Sequence, residues 1–148
     1  MKILVDADAC PVKDIIIETA REHELEVIMF TDTSHILDDD NCKIITVDKG
    51  KDSVDFALIN NVNANDIVVT QDYGVAAMAI SKSAYAINYN GLIFDKNNID
   101  SLLMQRYISA KIRSTGGKVA NIKKRNKVND LNFKRNFEDL IFKIKKGL

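Results

Sequence analysis

The chain has 148 residues, with 21 Lys/Arg against 21 Asp/Glu, 46% apolar and 28% charged. That balance belongs to one soluble globular domain and excludes collagenous, disordered and disulfide-stapled classes. A domain this long buries roughly 70% of its unfolded surface, so a metal here would serve function rather than hold the fold. The zero net charge hides a division: residues 1–110 hold 9 Lys/Arg and 18 Asp/Glu, whereas residues 111–148 hold 12 and 3. A polyanion-binding tail and a basic helix docked on an acidic body both produce that asymmetry.

In chain order, Lys2 to Val5 is a continuous apolar run suited to a central parallel strand. Pro11 to His23 follows as a helix, with Val12, Ile15, Ile16 and Ala20 on one face and Pro11 in the first turn. Glu26 to Phe30 and Lys43 to Val47 read as strands, and Ser53 to Asn61 as a helix with Val54, Ala57 and Leu58 on one face. Asp66 to Thr70 is a fourth strand, Tyr73 to Ser81 a short helix, and Tyr85 to Ile87 a fifth strand ending near Asn90-Gly91. Asn98 to Ile112 is a longer helix broken by Gly116-Gly117; a polar loop then leads to a last helix, Leu131 to Lys146, whose apolar face is Leu131, Phe137, Leu140, Ile141 and Ile144. The alternation is the α/β signature. One domain over 1–148 is expected, an acidic α/β body (1–112) with a basic loop and helix (113–148) docked on it.

No apolar run approaches the roughly 20 residues that span a bilayer. The start Met1-Lys2-Ile3-Leu4-Val5-Asp6 lacks a signal-peptide stretch, so a cytoplasmic protein without membrane contact is expected. Cys10 and Cys42 form no C-x-x-C pattern and read as plain thiols. His23 and His35 have no triad partner in sight, and no P-loop or G-x-G-x-x-G occurs.

Ligands of open α/β sheets bind beyond the carboxyl ends of the strands, and here acids follow several of them. The first strand runs into Asp6-Ala7-Asp8-Ala9-Cys10-Pro11, the third into Asp48-Lys49-Gly50-Lys51-Asp52-Ser53-Val54-Asp55, the fourth into Thr70-Gln71-Asp72-Tyr73-Gly74. Extended residues two apart share a face, which pairs Asp6 with Asp8; helical residues three apart are neighbours, which pairs Asp52 with Asp55. Gathered carboxylates repel unless they share a cation or proton, and hard oxygens select Mg²⁺ or Mn²⁺. Thr70 and Ser53 stand where a hydroxyl can hold a phosphate oxygen or water. Taken singly, Asp8, Asp52 and Asp72 are equally explicable as helix caps. Asp6, after a strand and before any helix, has the weakest structural excuse. Asp38-Asp39-Asp40 reads as solvated loop charge.

The blocks Val5-Asp6-Ala7-Asp8-Ala9-Cys10-Pro11-Val12, Val47-Asp48-Lys49-Gly50-Lys51-Asp52, Val68-Val69-Thr70-Gln71-Asp72-Tyr73-Gly74 and Arg113-Ser114-Thr115-Gly116-Gly117 together resemble the YaiI/YqxD family of bacterial proteins, over nearly the whole chain. That family is similar to PIN and NYN nuclease domains. The resemblance implies a PIN-like three-layer sandwich, a mostly parallel five-stranded sheet of order 3-2-1-4-5 between helices, with acids for Mg²⁺ or Mn²⁺. It matches Asp6, Asp8, Asp52, Asp55 and Asp72 to the acidic positions, with Asp6, Asp8 and Asp72 as primary metal ligands. Where the family continues from Gly-Gly into a proline-containing stretch, this chain reads Lys118-Val119-Ala120, and Asn132-Phe133-Lys134-Arg135 stands where Lys-Asp-Arg is usual.

The leading expectation is thus a metal-dependent ribonuclease or related phosphodiesterase. Thr70, Arg113, Gly116, Gly117, Lys118, Lys123, Lys124 and Arg125 would grip RNA or another nucleic acid through phosphates. The alternatives are a non-catalytic RNA-binding module and a haloacid-dehalogenase-like phosphatase, whose nucleophile loop Asp6-Ala7-Asp8 imitates.

Overall fold

The computed structural model describes residues 1–34, 42–118 and 124–147. His35, Asp38-Asp39-Asp40, Val119-Ala120 and Lys123 lie outside the described residues. The elements are β1 (Lys2–Asp6), α1 (Lys13–Glu22), β2 (Glu26–Asp32), β3 (Lys43–Val47), α2 (Ser53–Asn60), β4 (Ile67–Val69), α3 (Tyr73–Ser81), β5 (Tyr85–Ile87), β6 (Ile93–Phe94), α4 (Ile99–Ser114) and α5 (Lys127–Lys145).

One mixed sheet runs in the order β3-β2-β1-β4-β5-β6. Its first five strands are parallel, and β6 pairs antiparallel with β5. The expected order 3-2-1-4-5 is present, and the expected count of five strands is corrected to six among the described residues. Two residues are too few to show a period of two, so Ile93 and Phe94 gave no strand signal. Successive strand residues face opposite sides, and both sides are apolar. Ile3, Val5, Val27, Met29, Ile67, Val69 and Ile87 pack with α1 and α5, whereas Leu4, Ile28, Phe30, Val68, Ala86 and Phe94 pack with α2, α3 and α4. Double burial is why these strands read as continuous apolar runs.

The C-terminal helix α5 packs against the body with its apolar side. Phe133, Phe137, Leu140 and Ile141 are buried in the first core, and Phe133 stacks on Phe137 at 5.1 Å. Leu131, assigned to the buried face, is instead 67% exposed, and Phe133 takes its place. The helix starts earlier than expected, at Lys127 after an Asn126–Asn129 capping box. Two residues from Phe133 is about 200° of helical rotation, which turns Leu131 to solvent.

Gly91 fits the corner between β5 and β6 against α5. Its φ is +91°, and a Cβ there would lie 2.7 Å from the Asn132 carbonyl oxygen. The Asn136 amide donates to the Gly91 carbonyl at 2.9 Å.

At the amino edge of the sheet, Asp66 is a buried carboxylate with a structural task. It receives the Lys2 ammonium at 2.6 Å, the Lys2 backbone N–H at 3.0 Å and the Asn63 N–H at 2.8 Å. No described helix is long and apolar enough to cross a membrane.

Candidate active site

The connections leave β1 in opposite directions, through α1 to β2 on one side and eventually through α2 to β4 on the other. Such a switch point opens a crevice beyond the carboxyl ends of the two central strands. Here it is a cleft of about 870 Å³, lined by Asp6 and Asp8 after β1, Gln71 and Asp72 after β4, Tyr89 and Asn90 after β5, Arg106 of α4, and Arg125 and Asn129 at the start of α5.

Asp6 ends β1 with its side chain part-buried. Thr70 Oγ1 donates to Asp6 Oδ2 at 3.3 Å, and the Asp72 N–H donates to Thr70 Oγ1 at 3.0 Å. Burial raises the Asp6 carboxyl to about 6; the charges of Asp55, Asp8 and Asp72 push the same way, against the Thr70 hydrogen bond. Thr70, expected to touch phosphate, is fully buried and positions Asp6 instead.

Asp8 also lines the cleft, but the expected strand geometry does not carry it there. β1 stops at Asp6, and Ala9 turns the chain with a φ of +55°. Nor does Asp8 cap α1, whose N-cap residue is Val12.

Asp72 is both a cap and a cleft residue. Its Oδ1 accepts the Gly74 and Val75 N–H groups at 2.8 and 3.1 Å, starting α3. Arg106 Nη1 lies 3.8 Å from the same oxygen. That pair is largely exposed, so it contributes no more than about 1 kcal/mol.

Asp52 and Asp55 divide. Asp52 is exposed at a φ of +62° before α2 and makes no side-chain cap bond. Asp55 is half-buried, and its carboxyl is raised by burial and by the charges of Asp72 and Asp52, with Arg106 acting the other way. Asp55 thus belongs electrostatically to the edge that holds Asp6 and Asp72.

The expected basic residues fall mostly outside the cleft. Arg113, Gly116, Gly117, Lys118 and Lys124 are exposed. The N–H groups of Gly116 and Gly117 close the end of α4 on the carbonyls of Arg113 and Ile112. Those donors are therefore engaged rather than offered to an anion. Arg125 lines the cleft while its guanidinium binds Asp130 Oδ1 at 2.9 Å, Asn90 Oδ1 at 2.6 Å and the Tyr89 carbonyl at 2.7 Å. It ties the start of α5 to the β5–β6 corner.

Sequence reasoning missed Tyr89, Gln71 and Arg106. The Tyr89 hydroxyl donates to the Asp6 carbonyl at 2.8 Å, and the Tyr89 N–H to Gln71 Oε1 at 2.9 Å. Burial pushes the Tyr89 phenol well above its usual range, which keeps it a donor. Burial lifts the Cys10 thiol to about 11, far from a reactive thiolate. Among the described residues, no three His, Cys, Asp or Glu side chains stand gathered as a ready metal-binding group.

The profile described as "Uncharacterized BCR, YaiI/YqxD family" matches residues 4–143. The chain belongs to the YaiI/YqxD family. A relative from Ruminiclostridium cellulolyticum is 56% identical over 135 residues, covering 91% of this chain and 88% of its own. Another from Clostridium kluyveri is 51% identical over 149 residues, covering 99% and 98%, and one from Lachnoclostridium phytofermentans is 53% identical over 144 residues, covering 95% and 97%. Each carries the name UPF0178 protein. No solved structure matches the chain significantly. For this member of the family, the chemistry therefore has to be argued from the cleft itself.

Proposed function

We propose that this protein is a PIN-like, metal-dependent ribonuclease or related phosphodiesterase, acting at the acidic cleft beyond β1 and β4. The observation that carries the reading is the contrast between two part-buried or buried carboxylates. Asp66 has an ammonium and two backbone N–H donors, as a structural carboxylate should. Asp6 has one hydroxyl at 3.3 Å and three aspartates around it. A charge arrangement that costs the fold stability and lines a crevice fits a site better than a scaffold.

The donor set suits Mg²⁺ or Mn²⁺, because Asp6, Asp8 and Asp72 offer only hard carboxylate oxygens. Asp55 and Asp52 would support them from the start of α2. When bound, such a cation stabilises negative charge on a phosphoryl group. The chain's own residues do the rest. Thr70 and the Asp72 N–H hold the Asp6 carboxylate in place, the α3 amides hold Asp72, and the Tyr89 hydroxyl holds the Asp6 carbonyl. Arg106 presents a guanidinium fork to an anionic group entering the cleft. Arg113, Lys118 and Lys124, exposed at the surface, would add salt-sensitive attraction for a phosphate backbone.

Cleavage of a labelled single-stranded RNA, with Mn²⁺, Mg²⁺ or chelator, tests the reading. Asp72→Asn keeps the α3 cap, because Asn caps helices as well as Asp, and should lower metal-dependent cleavage at least ~100-fold while leaving the fold intact. Undiminished cleavage by that variant would remove Asp72 from the site. A gel shift that survives chelation without cleavage would favour the binding-module alternative, and a phosphate trapped covalently on Asp6 the phosphatase.

A further inference from the structure

The feature of the molecule that the cleft does not account for is the outer side of α4. At 3.6 residues per turn, Ile99, Leu102, Leu103 and Arg106 share its inner side. Ile99 is buried, Leu102 and Leu103 pack on the second core, and Arg106 lines the cleft. On the opposite side Met104, Ile108 and Ile112 recur every four residues, exposed to 57%, 49% and 38%. Tyr107, 59% exposed, stands beside that stripe with the Lys111 ammonium 5.9 Å from its ring centre. A surface helix needs one apolar stripe, and a helix apolar on both sides is a buried helix. Here the second stripe faces solvent.

We propose that this stripe is the interface of a homodimer, two α4 helices packing antiparallel about a two-fold axis. Charge complementarity selects a second copy of the chain. Asp100 and Lys111 are both exposed and lie three turns apart on the same shoulder of the stripe. Antiparallel pairing sets each Asp100 beside the partner's Lys111, twice by symmetry, and also opposes the two helix dipoles. A nucleic acid gains nothing from Met104, Ile108 or Ile112 and is repelled by Asp100. The dimer holds α4 from both sides and so fixes Arg106, carried on the inner side of the same helix, over the cleft. The interface stands independently of the proposed activity.

A single helix pair is a small interface, so the dimer should assemble in the micromolar range. Sedimentation of the full chain from about 1 to about 200 μM should show a reversible shift from 16.6 kDa towards twice that mass. Ile108→Asp should weaken association at least ~30-fold with an unchanged circular dichroism spectrum, since the residue is on the surface. Asp100→Lys should weaken it ~5-fold, and adding Lys111→Asp should restore it, which a merely structural role for either residue would not produce. A wild-type chain that stays monomeric throughout, or a dimer that Ile108→Asp leaves intact, overturns the proposal. A monomer that binds RNA more weakly when Ile108 is replaced assigns the stripe to nucleic acid and overturns it equally.

Discussion

The Asp6 carboxyl, raised from 3.8 to about 6, makes a prediction about stability with a definite sign. Below pH 3.8 the group is protonated in folded and unfolded chains alike and costs nothing. Between 3.8 and 6 the unfolded chain ionises first, so the penalty on folding grows with pH, and above 6 it is complete. Asp6→Asn, which keeps an acceptor for the Thr70 hydroxyl, should therefore stabilise the metal-free protein at pH 8 by about 2 kcal/mol, or ~5 °C in Tm. The gain should vanish near pH 4. Thermal denaturation at the two pH values checks this, and equal Tm values for both proteins at pH 8 would contradict it. The residue was legible because an acid directly after an apolar strand has no helix to cap. The burial of Thr70, just after the fourth strand, was not legible, because sequence shows that a hydroxyl stands near acids but not that the sheet covers it.

At the scale of elements, what could be read depended on length and phase. β1 showed as an unbroken apolar run because both faces of the sheet are covered. β6 was invisible, being two residues long. The face of α5 was legible at Phe137, Leu140, Ile141 and Ile144, and only Leu131 was named where Phe133 is buried, because the helix starts at Lys127 behind an Asn cap in a polar stretch. Arg106 and Tyr89 reach the cleft through tertiary placement of α4 and of the β5–β6 corner, for which no local pattern exists. That corner carries its own test. Gly91→Ala must accept a φ of +91° and a Cβ 2.7 Å from the Asn132 carbonyl. It should cost about 2 kcal/mol or more, lowering Tm by ~5 °C, because the atom it meets is backbone of a packed helix. A Tm within about 1 °C of wild type would mean that α5 is not pinned there.

For the whole molecule, the division of charge and the division of labour coincide only in part. Asp6, Asp8 and Asp72 of the acidic body line the cleft at the switch point of the sheet, and the basic tail is first of all a docked helix whose apolar side completes the first core. Arg125 joins the two, bonded to Asp130 of the tail and to Tyr89 and Asn90 of the body. The YaiI/YqxD membership spans residues 4–143, so body and tail are one family unit. The proposed chemistry requires the cleft to take up a divalent cation. Titration of the metal-free protein with Mn²⁺, read by the electron paramagnetic resonance signal of the free ion, measures this without a substrate. The wild type should remove Mn²⁺ from solution, and Asp6→Asn and Asp72→Asn should each weaken binding at least ~10-fold, about 1.4 kcal/mol. Binding that neither substitution changes, or no binding at millimolar Mn²⁺, would contradict the assignment of the acidic cleft as a metal-dependent active site.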